Sequence, residues 1–200
     1  YKRQLSASVD GWFTLPLTVP NYLAGFVGKP VLPLDAPEVS AAIERVQKRT
    51  DALLNCGGTH RPEWFHRKLG DILYEGCGVA RDEAGLLDAL TKVRELREEF
   101  WRDVKVVGTG NRLNQELEKA GRVADFIELG EVMILDALDR RESAGAHFRN
   151  EYATEAGEAK RNDGDWCAVS AWETRPDGTK VRHSEPLSFS LIDLQVRDYR

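Results

Sequence analysis

The stretch NQELEKAGRVADFIELGEVMILDALDR, residues 114–140, decides the fold of this chain. Leu117, Ala120, Ala124, Ile127, Ile134 and Leu138 recur in it at helical spacing, so one apolar stripe faces inward and the charged residues face water. A helix this long is the spine of a bundle. Upstream, Leu86, Leu90, Val93, Phe100 and Val104 make a similar stripe after Asp82, with Arg94, Arg97, Glu98 and Glu99 on the outer face and Gly108 and Gly110 as the expected stop. Another helix is expected from Pro62, burying Phe65, Leu69 and Ile72 and closing at Gly76 and Gly78. The first begins at Asp35-Ala36-Pro37-Glu38, which has the form of a capping box. It directs Val39, Ile43, Val46, Leu53 and Leu54 to one face until Gly57 and Gly58. Short connections between long amphipathic helices favour antiparallel neighbours, so residues 37–150 read as a mainly α, up-and-down helical bundle of the spectrin-repeat-like kind.

The flanks differ. Prolines 16, 20, 30, 33 and 37 oppose long regular helices, so residues 1–36 are expected to form an extended connector with one short turn near Tyr22 and Leu23. Beyond the bundle, Trp166, Ala168, Ser170 and Trp172 alternate with Cys167, Val169 and Ala171, the period of a strand. Arg175-Pro176-Asp177-Gly178-Thr179 is a turn, residues 179–185 are the return strand, and Leu187, Phe189 and Leu191 alternate again. Residues 151–200 therefore form a β-hairpin tail, which needs a surface to lie on because an isolated hairpin is marginal in water.

Composition excludes several functions. The 200 residues carry 28 Lys and Arg against 33 Asp and Glu, dispersed along the chain, which argues against nucleic acid as a partner. Cys56, Cys77 and Cys167 are odd in number and contain no CxxC, so neither a disulfide framework nor a zinc ribbon is supported. Nothing is apolar for long enough to cross a bilayer as a helix. Gly108-Thr109-Gly110 follows a helix, whereas a phosphate cradle needs glycines after a strand. His60 and His66 lie on different sides of a helix, and the glycine pair separates Cys56 from His60, so no metal site is read from them. Tryptophans 12, 64, 101, 166 and 172 follow helix and strand faces and read as packing residues.

One run stands apart. RESAGAHFR, residues 141–149, sets Arg141, Glu142, Ser143, His147 and Arg149 around Gly145, directly after the longest helix. It reads as a structural or docking edge and not as a catalytic centre. Ser143 and His147 would meet if the helix continued, but Gly145 opposes that, so hydrogen-bonded termination is the preferred reading. Arg141, His147 and Arg149 are expected to fix the helix end and the start of the tail. No catalytic, cofactor-binding or metal-ligating residue is assigned.

Several stretches in order resemble the C-terminal part of succinate dehydrogenase and fumarate reductase flavoprotein subunits. They are Arg61-Pro62-Glu63-Trp64-Phe65-His66-Arg67-Lys68-Leu69-Gly70, Cys77-Gly78-Val79-Ala80-Arg81, Gly85-Leu86, Asn114-Gln115-Glu116-Leu117-Glu118, and Arg141-Glu142-Ser143 with Gly145, His147 and Arg149. Asp10-Gly11-Trp12-Phe13 with Leu15-Pro16, and Asn21-Tyr22-Leu23-Ala24, look like the connector that follows the flavin domain in that family. The resemblance implies a three-helix-bundle-like domain attached to a Rossmann-like FAD domain and a capping domain. It implies succinate oxidation to fumarate by hydride transfer to FAD in the longer protein, with no cofactor held by these 200 residues. Its implied partners are the FAD-binding domain of the same chain, an iron-sulfur subunit and, through that, membrane anchor subunits, which places the protein on the cytoplasmic face of a membrane. The family's catalytic motifs have no match here; Arg3 lies near the last substrate arginine of the family, but the G-A-N-R-L-G frame is absent and the role is not transferred. The start at Tyr1 without a methionine fits an expected piece of a longer polypeptide. The tail and the connector tilt the resemblance toward succinate dehydrogenase; fumarate reductase, L-aspartate oxidase and a stand-alone helical interaction module are the alternatives.

Overall fold

The computed structural model describes residues 7–191 and 193–195. Two compact units divide the chain, one up to Val46 and the other from Gln47.

The first unit corrects the expected extended connector. A π-helical turn, Asp10–Thr14, runs directly into helix α1, Leu15–Ala24. Pro16 and Pro20 both lie within this continuous helical run, Pro16 just after the π-helical turn, and each removes a backbone donor from it. Thr18 Oγ1 donates to the Thr14 carbonyl at 2.8 Å across the junction. Helix α2, Pro37–Asn55, starts where the capping pattern placed it. Its expected stripe is not buried throughout: Ile43 and Val46 are exposed, while Leu53 is 3% exposed.

In the second unit three helices pack pairwise: α3, Pro62–Gly76; α4, Glu83–Asp103; and α5, Gln115–Asp139. Phe65 near the start of α3 meets Phe100 near the end of α4, edge to face at 5.2 Å, so these neighbours are antiparallel. Lys119 near the start of α5 pairs with Glu63 near the start of α3, so those two run parallel. The core holds Leu69, Leu86, Leu90, Val93, Leu96, Ala124, Ile127 and Ile134 around the two phenylalanines. Each large side chain contributes about 1.5–3 kcal/mol by leaving water. The inward positions read for α4 and the stripe on α5 are borne out, with Leu117 and Leu138 packed at its margin. Asn114 starts α5, its side chain accepting from the backbone N–H groups of Glu116 and Leu117.

Glu131 of α5 is buried, and both Arg94 and Arg97 of α4 donate to it, so these arginines reach across the helix interface while Arg94 keeps half of its side chain in water. Burial raises the Glu131 carboxyl, but the two guanidiniums outweigh that and hold it below its ordinary value.

Helix α4 ends at Asp103, before the glycines expected to stop it. Tertiary pairing is the reason. His60 N donates to the Asp103 carbonyl, Lys105 N to the His60 carbonyl at 2.8 Å, and Gly58 N to the Val104 carbonyl. The Asp103 carboxylate also accepts from His60 Nδ1 at 2.5 Å and from Thr59 N and Oγ1, which holds its pKa at about 2. Gly58 allows this approach, because a Cβ there would overlap the Asp103 backbone.

Two short strands, β1 (Ala80–Arg81) and β2 (Phe148–Arg149), pair in parallel, Arg81 opposite Arg149. A short helical turn, α6 (Asp163–Trp166), precedes the hairpin of β3 (Ala168–Thr174) and β4 (Lys180–Pro186). The strand thus begins after Trp166 and not at it. The surface that the hairpin needs is the last two turns of α5: Trp172 Nε1 donates to Asp136 at 2.8 Å, and Arg182 pairs with Asp139 at 2.7 Å.

Candidate functional site

The site is the end of α5 and the loop that leaves it. Helix ends leave carbonyls without intrahelical partners, and here a buried arginine from beyond the helix supplies the donors. Arg149, 2% exposed, donates through Nη1 to the Ala137 carbonyl at 2.8 Å and the Leu138 carbonyl at 3.3 Å. Its charge also opposes the negative end of the helix. Arg149 Nε reaches Glu151, whose other oxygen accepts Glu83 N at the start of α4. A single chain of contacts therefore joins the end of α5 to the beginning of α4.

The chain returns to Arg149 through a tight turn. Ala144 N and His147 N each donate to the other's carbonyl, at 2.8 and 3.1 Å, with Gly145 at φ +63°, a conformation that glycine adopts without steric cost. Ser143 is fully buried; its Oγ accepts from Arg149 N at 2.8 Å and donates to the Arg149 carbonyl at 3.1 Å. Glu142, 2% exposed, accepts from Arg140 Nε and Nη2 at 2.8 and 2.6 Å and from Asn162 N at 2.8 Å. It thereby ties the segment that leads to the hairpin back to the helix end.

His147 occupies the centre. The Arg140 carbonyl can only accept, so His147 Nε2 donates to it at 3.0 Å, and Nδ1 is left to accept from Arg81 Nη1 at 3.0 Å. Arg81 Nε donates to the Gly78 carbonyl at 2.8 Å. Desolvation pushes the His147 pKa down, the Arg140 carbonyl opposes this, and the charges of Arg81, Arg140 and Arg149 lower it further. The ring is held neutral as the Nε2–H tautomer.

Of the six residues singled out in the sequence, five converge: Glu142, Ser143, Gly145, His147 and Arg149. Arg141 does not. It is exposed and makes no hydrogen bond or ion pair among the described residues, while its neighbour Arg140 takes the role expected of it. Sequence reasoning also missed Arg81 and Glu151. Arg81 lay in a stretch that already carried the resemblance, but its contact to His147 spans 66 positions and has no local signal.

Chemically the arrangement is a clasp. Both hydrogen bonds of the Ser143 hydroxyl go to the Arg149 backbone, so it is not poised as a nucleophile. Cys77 is buried and its thiol is pushed up by burial, which disfavours the reactive thiolate. Among the described residues no three His, Cys, Asp or Glu side chains converge as metal ligands.

Comparison with known proteins supplies the wider context. The family described as fumarate reductase flavoprotein C-term matches residues 66–199. The chain belongs to that family. One relative, the succinate dehydrogenase flavoprotein subunit of Bacillus subtilis, is 26% identical over 160 residues, covering 80% of this chain and 26% of its own length. The fumarate reductase flavoprotein subunit of Haemophilus influenzae is 28% identical over 114 residues, 57% of this chain and 19% of that protein. A solved chain of Escherichia coli quinol fumarate reductase superposes with a TM-score of 0.67 at 24% identity, over 78% of this chain and 26% of that one, and shares its fold. The chain thus spans about a quarter of the length of such relatives.

Family members are named as flavoproteins, so the fit of a flavin to this C-terminal domain can be tested. It does not fit the one glycine-rich stretch considered for phosphates. Gly108 and Gly110 follow the end of α4 and not a strand, and the side chain of Asn114 already occupies backbone donors at the start of α5.

Proposed function

We propose that this chain is the C-terminal helical domain of a flavoprotein subunit that interconverts succinate and fumarate, and that its own work is structural and subunit-docking. The observation that carries this reading is the clasp at residues 140–151, which lies wholly within the stretch matched to the family and leaves no reactive group free. FAD in the longer protein would supply hydride acceptance; the residues described here would hold the bundle in the geometry against which the flavin-binding part and an iron-sulfur subunit pack. Membrane anchor subunits are reached through that iron-sulfur partner, on the cytoplasmic face. Among the described residues no helix is long and apolar enough to cross a membrane, which suits attachment through partners.

Succinate oxidation is the direction favoured here, on the tail after Tyr152 and the Gly11-Trp12-Phe13 segment. Fumarate reduction is the second reading, favoured by the relatives that carry that name. The deciding experiment is purification of the complete encoded polypeptide with its co-purifying subunits, followed by flavin determination and assay in both directions. Flavin with faster succinate-dependent dye reduction is expected. A flavin-free protein with neither activity would sink the reading and favour an independent interaction module.

A further inference from the structure

Six arginines among the described residues are buried or half-buried: Arg81, Arg97, Arg140, Arg149, Arg161 and Arg182. Five have a carboxylate at ion-pair distance, respectively Glu131, Glu142, Glu151, Asp163 and Asp139 for the last five. Arg81 has none. Its acceptors are neutral, the Gly78 carbonyl and His147 Nδ1, and its Nη2 amine makes no hydrogen bond among the described residues. A guanidinium does not shed its proton to escape desolvation, so a half-buried one is stabilised by a counter-charge.

The neighbouring carboxylates are committed elsewhere. Asp82 accepts Gly85 N, Glu142 holds Arg140 and Asn162, and Glu151 holds Arg149 and Glu83 N. His147 cannot help, since protonating it would add a further cation against Arg81, Arg140 and Arg149. A second cation lies on the same loop: Arg141 directly follows the carbonyl that His147 Nε2 bonds, and its exposed side chain makes no hydrogen bond or ion pair among the described residues.

We propose that an acidic patch on a protein surface docks at this end of the bundle, placing a carboxylate on the open edge of Arg81 and flanking it with Arg141. The inference rests on the docking reading of residues 141–149 and adds the chemistry of the partner. The fork of Arg81 is oriented in advance by Gly78 and His147, which favours a directed, charge-assisted pair over a loose encounter. Two cations spread over a strand edge and an exposed loop suit a protein surface.

The test uses the complete protein with its co-purifying subunits, in two variants, Arg81→Lys and Arg141→Lys. Each keeps the charge and introduces an amine that a zero-length carbodiimide couples to a carboxylate in contact. Mass spectrometry is expected to find both positions joined to Asp or Glu outside residues 1–200. The yield should fall about tenfold from low salt to 1 M salt, where the screening length is about 3 Å. Links confined to residues 1–200, or no links, overturn the proposal. So does saturable protection by free succinate, which would mean a small dicarboxylate site. Arg141 makes no hydrogen bond or ion pair among the described residues, so Arg141→Lys decides alone if Arg81→Lys does not fold. A preparation with flavin and turnover but only internal links ends the docking patch and leaves the flavoprotein reading intact. Outside links in a flavin-free, inactive preparation do the reverse.

Discussion

Single residues in this chain differ sharply in what they hold. Arg149 fills the carbonyl end of α5 from a buried position and also steadies Glu151, so its loss leaves several polar groups desolvated. Arg149→Leu should cost about 2–3 kcal/mol in urea unfolding, the scale of hydrogen bonds to a charged group. An unchanged midpoint would show that the clasp contributes nothing. His147 predicts a pH dependence. Its folded pKa lies below the ordinary 6.5, so on acidification the unfolded chain takes up the proton first. The contribution is complete above 6.5 and is lost as pH falls through the lower folded value. His147→Gln, which can still donate to Arg140 and accept from Arg81, should flatten stability against pH across that window; a parallel slope in both proteins would contradict the assignment.

At the scale of elements, helix ends are set by neighbours as much as by their own sequence. Helix α5 starts at Asn114 through a local cap that any reader of the sequence can find, whereas α4 stops at Asp103 because residues 58–60 pair with 103–105. Gly58→Ala should therefore cost about 1–3 kcal/mol by forcing that pairing apart. Gly70 is the control: it lies within α3 with nothing inside 4 Å of a built Cβ, so Gly70→Ala should gain about 0.5–1 kcal/mol. Thermal melting of the two variants, with shifts of opposite sign, checks the claim. Equal shifts would mean that the approach of Gly58 to Asp103 does not control the end of α4.

For the second unit as a whole, the hairpin is bound to the bundle through few contacts, chiefly Trp172 to Asp136 and Arg182 to Asp139. Trp172→Phe keeps the ring and removes the donor. Losing about 1 kcal/mol of docking raises the open population about fivefold, so trypsin should cut after Lys180, at the start of β4, faster by that factor. Unaltered cleavage would show the hairpin to be held by something else.

The sequence by itself determined the helices of the bundle, the hairpin and the run from residue 141 to 149, because apolar period, capping residues and turn residues are local. It misjudged residues 10–24, where a continuous helical run accommodates both Pro16 and Pro20, and the outer faces of α2 and α4, where the same period serves a buried or an exposed stripe. Only the tertiary structure decided that Arg140 and not Arg141 holds Glu142, that Arg94 and Arg97 reach across to Glu131, and that Arg81 meets His147. Those pairings join residues distant in the chain or choose between adjacent arginines. Packing and desolvation, which have no local pattern, make that choice.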